Sequence, residues 1–330
     1  MTRMVRAAAL TNYFDVAEQV GLNPVTLLSD AGLNRTILAN PDNKIPASAA
    51  VTLLEESARI ASCPTFGLRM AETRQISDFG AVGLLVTHQP TLREMLLALM
   101  NYRHLLNEAL TLQMSDVGKH VVIRQEIVTD PPMYSRQATE LALGVLARAG
   151  SALLGSHWKP ERVLFLHEAP EDLQLHRRLF RCKLEFGSEF NGFVCNSADL
   201  DYPCSAANPA LARYAEQLLQ TLPKATDKTI EEEVHEAIYL LLPMGRATVE
   251  QVAQSLAVNV RTLQRQLEER GVTFSDLINT VRRELAVRYI ESGQHSLGHV
   301  AELLGYSTQT SFTRWFKNEF GVAPTQWERS

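Results

Sequence analysis

No run of apolar residues in this 330-residue chain approaches the roughly 20 needed to cross a bilayer, so no membrane span is expected. Arg3 and Arg6 stand near the start, but the apolar stretch Ala7 to Leu10 is too short for the core of a secretion signal. Cysteine is scarce. Cys63, Cys182, Cys195 and Cys204 include no C-x-x-C pair, and neither they nor the histidines show zinc-ligand spacing. Reduced thiols in a cytoplasmic protein are the expected state, with no metal and no cofactor. The chain also lacks bulk positive charge, with a formal net charge of -5. Any nucleic-acid contact must therefore come from a local arrangement of basic groups.

Catalytic signatures are missing as well. There is no G-x-S-x-G elbow. Gly80-x-x-Gly83 lacks the third glycine and the Lys-Ser/Thr pair of a phosphate loop, and reads better as a tight turn or a close helix approach. Scattered His, Asp and Ser residues cannot establish a triad, because such groups meet only in space. No enzyme and no catalytic residue is expected. Ser77, Asp78, His88, Tyr102, His104 and His167 are candidates to line a pocket. Each is more often a surface or satisfied core residue, so no effector-contact residue is assigned.

What is present is a repeat. Val249, Val252, Ala253 and Leu256 have the i, i+3, i+4, i+7 spacing of a helix with one buried face. Leu297, Val300, Ala301 and Leu304 repeat it 48 residues later. A turn and a second amphipathic helix follow each copy, which is helix-turn-helix grammar written twice. One copy alone is equally well read as ordinary amphipathic helices with solvated faces; two at matched spacing favour a tandem reader of two adjacent major grooves.

The reading faces follow from helical period. In the first unit Val260, Leu263 and Leu267 face inward, which leaves Arg261, Gln264 and Arg265 together on the outer face, behind Asn259 as N-cap. In the second, Phe312, Trp315 and Phe316 face inward, and Thr310, Thr313, Arg314 and Lys317 face out, with Gln309 beside them at the helix start. Arg can clamp guanine O6/N7, Gln can pair with adenine N6/N7, and Thr can serve either. From Gly245 onward there are 10 Lys+Arg and 9 Asp+Glu, a weak excess, but residues 251–267 and 303–318 contain no acid at all. Between the units, Thr273-x-x-Asp276 opens a helix with the stripe Phe274, Leu277, Ile278, Val281, Leu285 and Tyr289. About 18 residues give about 27 Å, close to the roughly 34 Å repeat of successive major grooves. DNA bending is expected if the linker sets a shorter separation. His295 and His299 flank Ser296, a helix start, and read as neighbours of a cap more than as metal ligands.

The chain is expected to divide at 222/223, within the polar stretch 221–228 that contains Pro223. Asn208-Pro209 opens the last helix before it, and Thr229 to Leu242 forms the first helix after it. Glu231, Glu232 and Glu233 suit that helix's first turn, where the dipole favours negative charge, and equally suit a solvated face. Residues 1–222 mix patterns. Helices are predicted over Pro46 to Ile60, after a Thr91/Glu94 capping box, and over Met133 to Leu154. A hairpin is predicted with strands from Leu110 and over His120 to Val128 around a turn at Asp116 to Lys119. Further strands are predicted over Arg162 to His167 and Gly192 to Cys195. The prediction is multidomain: an α+β N-terminal domain, then an all-α domain of two helix-turn-helix units joined by a linker helix.

Val300-Ala301, Gly305-Tyr306-Ser307, Phe312, Arg314, Phe316-Lys317, Gly321 and Pro324 resemble the second helix-turn-helix and tail of the AraC/XylS family of bacterial transcription regulators. Leu263-Gln264-Arg265 with Leu267 is similar to the family's first reading helix, and Arg282 and Ala286 fit its linker helix. Trp327 stands where the family usually has Tyr or Phe, and Thr310-Ser311 replaces a common Ser-aromatic pair. Phe66-Gly67-Leu68, Asp78-Phe79-Gly80 with Gly83, Thr91-Leu92-Arg93-Glu94 and the stretch from Phe186 to Pro203 resemble the arabinose-binding-like sensory domain of some such regulators. The resemblance implies a homodimeric, effector-controlled regulator of transcription that binds double-stranded DNA. It implies an activator in contact with RNA polymerase. A ligand-independent regulator whose N-terminal domain only dimerises is the alternative.

Overall fold

The computed structural model describes residues 2–222, 229–245, 247–256, 258–293 and 295–327. The chain forms two compact units, 1–225 and 226–330. From residue 223 on, the polar linker expected at 221–228 lies outside the described residues.

The N-terminal unit is α+β. It opens with β1 (Met4–Arg6), α1 (Tyr13–Gln19), α2 (Pro24–Asp30), α3 (Arg35–Leu38), β2 (Lys44–Pro46), α4 (Ala47–Ile60) and α5 (Phe66–Ala71). Asn23 and Asn34 cap α2 and α3 by accepting from the N–H groups of Val25 and Ile37. β1 and β2 pair antiparallel, and around them Tyr13, Leu28, Ile45, Leu53 and Phe66 form one core.

Then come α6 (Ala81–Thr87), α7 (Leu92–Tyr102), β3 (Leu110–Val117), β4 (His120–Ile127), α8 (Arg136–Leu154), β5 (Arg162–Leu164), α9 (Gln174–Phe180), β6 (Lys183–Glu185), β7 (Gly192–Asn196), α10 (Ser197–Leu200) and α11 (Pro209–Thr221). Five strands form one sheet in the order β3-β4-β7-β5-β6, antiparallel except for β5 with β6. Val121, Ile123, Val163 and Phe193 from this sheet join Leu96, Leu143, Phe165 and Phe180 in a second core. Gly83 permits the close approach expected of it: a Cβ there would lie 2.4 Å from the Ile76 carbonyl oxygen.

Several boundaries differ from expectation, each for a local reason. The hairpin pairs as far as Val117 with His120, so its turn is only Gly118-Lys119. The long helix begins at Arg136, not Met133, because Ser135, with φ -140 and ψ 40, is not helical. The strand at Arg162 stops at Leu164, where β6 ends beside it. Thr91 accepts from the Glu94 N–H at 3.2 Å, but the reciprocal half of that box is not formed. Cys63, Cys195 and Cys204 are buried free thiols, and burial pushes the half-buried Cys182 thiol up to about 12. No described helix is long and apolar enough to cross a membrane.

The C-terminal unit is all helical. It comprises α12 (Ile230–Leu241), α13 (Val249–Ser255), α14 (Val260–Glu268), α15 (Phe274–Ser292), α16 (Leu297–Leu303) and α17 (Gln309–Phe320). The three glutamates at 231–233 do occupy the first turn of α12, where Thr229 and Glu232 close a capping box. Val281, Leu285, Ala286 and Tyr289 line the buried face of α15. His235 on α12 meets Glu284 on α15 at 2.9 Å, and Arg288 donates to the Tyr239 hydroxyl at 3.3 Å, fastening these two helices together.

Candidate DNA interface

The repeat read from apolar spacing extends to individual hydrogen bonds. Thr248 caps α13 by accepting from the Gln251 N–H, and Ser296 caps α16 by accepting from the His299 N–H. Each first helix closes with the same bond: Val258 N–H to the Ala253 carbonyl at 3.0 Å, and Tyr306 N–H to the Ala301 carbonyl at 2.8 Å. Here 253 and 301 are again 48 apart.

The second turn then takes one extra residue. α14 is capped by Asn259, which accepts from Thr262 N–H at 2.8 Å; α17 is capped by Thr308, which accepts from Ser311 N–H at 3.1 Å. Gly305, with φ +77, turns the chain there. The reading helices are therefore 49 residues out of step. The buried anchors Leu263 and Leu267 match Phe312 and Phe316, and Arg265 and Arg314 fall on equivalent positions. That equivalence was concealed by the 48-residue offset of the first helices.

Arg261, Gln264 and Arg265 are all exposed on α14, and Gln309, Thr310, Arg314 and Lys317 on α17. Thr313 is half-buried and Trp315 is packed only in part, its ring 5.5 Å from Tyr306 and 6.1 Å from Phe320. Asn259 has its side-chain oxygen committed to the cap, which leaves its amide N–H groups for an outside partner. Arg265 approaches Glu269, one turn on, at 3.7 Å, whereas Arg314 makes no ion pair with any described residue. The acid-free window seen in sequence thus ends just before a carboxylate that competes for one of the two arginines.

The spacing of the two units rests on α15. Its 19 residues span about 28 Å. The predicted capping box is formed, with the Thr273 N–H donating to Asp276 at 3.0 Å and the Asp276 N–H donating back at 3.1 Å. At the second unit, Arg282 donates from Nε to the Leu304 carbonyl at 3.2 Å and lies over the Tyr306 ring at 5.3 Å, while burial pushes the Tyr306 hydroxyl up to about 12. Arg283 is paired with Glu319 on α17. Trp327 completes the cluster beside Phe316 and Phe320, at 5.5 and 5.1 Å, keeping an aromatic in its expected place.

In the N-terminal unit the candidate pocket residues scatter. Of the six, Asp78 alone lines the cavity of about 160 Å³ between the two cores. His88 is tied to the Ala206 carbonyl, and His167 is buried against Glu140 at 2.9 Å, with His176 at 3.5 Å from the same oxygen. Burial is the largest single effect and raises the Glu140 carboxyl, but His167, His176 and Arg136 together outweigh it and hold the carboxyl down to about 2. His295 and His299 stand with rings 5.1 Å apart, and no group of three or more metal-ligating side chains occurs among the described residues.

Comparison with known proteins agrees with this architecture. Residues 21–204 match the arabinose-binding domain of AraC transcription regulators, and residues 234–330 match a helix-turn-helix domain. The HTH-type transcriptional regulator VirS of Mycobacterium tuberculosis is 30% identical over 98% of this chain and 96% of its own. The ornithine utilization regulator of Pseudomonas aeruginosa is 23% identical over 99% of this chain and 97% of its own. The crystal structure of the regulator CdpR from the same organism aligns with a TM-score of 0.44 at 20% identity, over 93% of this chain and 97% of that one. These relatives are regulators and not enzymes. The chain belongs to the AraC family of DNA-binding transcription regulators.

Proposed function

We propose that the C-terminal unit reads two adjacent major grooves of double-stranded DNA. Arg261, Gln264 and Arg265, with Asn259, would serve one groove, and Gln309, Thr310, Thr313, Arg314 and Lys317 the other. The observation that carries this is the equivalence of Arg265 and Arg314, two exposed guanidiniums at matched positions of helices held by one rigid connector. The two sets differ in side chains, so the site in DNA is asymmetric, with one half read by each set. Mapping of bound sites across the genome tests this. Sites with two unlike half-elements, centred about one helical turn apart, support the reading.

The N-terminal unit, residues 1–222, is proposed to sense a small organic effector, to hold the protein as a homodimer, and to make it an activator in contact with RNA polymerase. The match to an arabinose-binding domain supports the sensory role. Leu211, Tyr214 and Leu218, exposed at i, i+3 and i+7 on α11, support self-association. Sedimentation of the full chain reports the oligomer. Linkage requires that operator DNA shift effector affinity by the same factor by which effector shifts DNA affinity. Effector affinity that is identical with and without operator excludes such coupling.

A further inference from the structure

Three faces of the N-terminal unit each show one structural period and converge without filling the space between them. On α8 the face is Ala138, Ala142 and Val145, at i, i+4 and i+7; on β3 it is Leu110 and Leu112, at i and i+2. All five are half-buried and line the cavity. On α4 the lining includes Ala47 and Ala50, where longer side chains would close the gap. The volume of about 160 Å³ is comparable with the ~150 Å³ cavity that admits benzene, so an occupant of six to eight or so non-hydrogen atoms fits.

The charge of the wall is one-sided. Arg6, Arg74 and Arg103 line it, against Asp78 as the one carboxylate. Arg6 donates to Asp42 at 2.6 Å and to the Asp78 carbonyl at 2.9 Å. Arg74 is only 6% exposed. It donates to the carbonyls of Ala8 and Ala9, lies 3.9 Å from Asp78, and its Nε–H has no acceptor among the described residues. Burial, with help from the nearby Arg6, lowers the Arg74 guanidinium to about 10, against the pull of Asp78. It remains charged at neutral pH and is only partly compensated. A buried cation in this state favours an anion beside it.

We propose that this cavity binds a compact amphipathic carboxylate, its apolar body between α8, β3 and α4 and its carboxylate toward Arg74 and Arg6. The proposal rests on the reading that the N-terminal unit senses an effector, and supplies the chemistry of that effector. The cavity lies between the two cores, bordered by Leu99 and Leu146 of one and by Ile127 and Leu141 of the other. An occupant therefore touches both, and its binding energy is spent on holding them in one arrangement.

The test is calorimetric titration of the full chain at neutral pH with sodium hexanoate, hexan-1-ol and hexylamine. Hexanoate is expected to bind with a Kd below about 1 mM, at least tenfold tighter than either uncharged or cationic analogue. Ala142→Leu, which fills the cavity, should abolish that heat while the protein stays folded, and Arg74→Gln should weaken binding at least tenfold. If Arg74→Gln fails to fold, the Ala142→Leu result and the analogue series decide. No hexanoate binding, equal binding of the three analogues, or undiminished binding to Ala142→Leu overturns the proposal. Operator affinity with and without hexanoate is measured in parallel. Binding that leaves operator affinity unchanged sinks effector control and leaves the carboxylate site standing.

Discussion

Replacing Arg314 with Ala probes the second reading helix with little effect on the fold. The side chain is exposed and unpaired with any described residue, so its loss should change folding stability by no more than about 0.5 kcal/mol. If the guanidinium clamps one base, truncation costs about 1–3 kcal/mol, a loss between about fivefold and about 150-fold in Kd. Arg265 should show a smaller net loss. It first has to leave Glu269, and an exposed pair of this kind is worth at most about 1 kcal/mol. Glu269→Gln should accordingly tighten DNA binding by up to about fivefold. The assay is fluorescence anisotropy at fixed salt, using an operator duplex and variants changed one base pair at a time, then repeated across a salt series. A base contact predicts that Arg314→Ala no longer discriminates at one position while the salt slope is retained. Equal loss on every duplex, with a slope shallower by about one, would make Arg314 a phosphate contact. No loss at all would mean that α17 does not enter the groove.

Phe312 is fully buried between Tyr306 and Phe316, so Phe312→Ala should destabilise the C-terminal unit by about 3–5 kcal/mol in chemical denaturation and abolish specific DNA binding; a cost under about 1 kcal/mol would refute the packing described. Glu140 titrates at about 2 in the folded protein, below its ordinary 4.5. A depressed carboxyl contributes stability that is present above its unfolded pKa and lost as pH falls through the folded one. Stability should therefore fall between about pH 4.5 and 2, and Glu140→Gln should flatten that part of the profile; parallel curves for the two proteins would contradict the His167–Glu140–His176 arrangement.

The C-terminal unit was legible because its elements are written in period. Val252, Ala253 and Leu256, and their partners 48 residues on, state a buried face without help from the rest of the chain. Caps at Asn259, Thr273 and Ser296 were legible for the same reason, since a cap is a local bond between residues three apart. The equivalence of Arg265 and Arg314 was not, because one extra residue in the second turn breaks the register of the repeat. The N-terminal unit was read mainly where elements are long or strongly β-branched and aromatic, as at Arg162 and Gly192. Strands of three residues, such as Met4–Arg6 and Lys183–Glu185, have no measurable period and exist because a distant partner completes them. Helices α1 to α3, of seven, seven and four residues, are likewise too short to stand alone; α1 is held by packing without a side-chain cap, and α2 and α3 have the Asn23 and Asn34 caps. The cavity was illegible in principle. Alanines at 138 and 142 look like good helix formers, and only their convergence with β3 and α4 makes them a wall.

Hydroxyl-radical footprinting of the full chain on a mapped operator addresses the central claim most directly. Two protected patches on one face of the duplex, centred about 10 base pairs apart, are predicted, with one patch lost in Arg265→Ala and the other in Arg314→Ala. A single patch, or two patches that both variants weaken alike, would contradict a tandem reader.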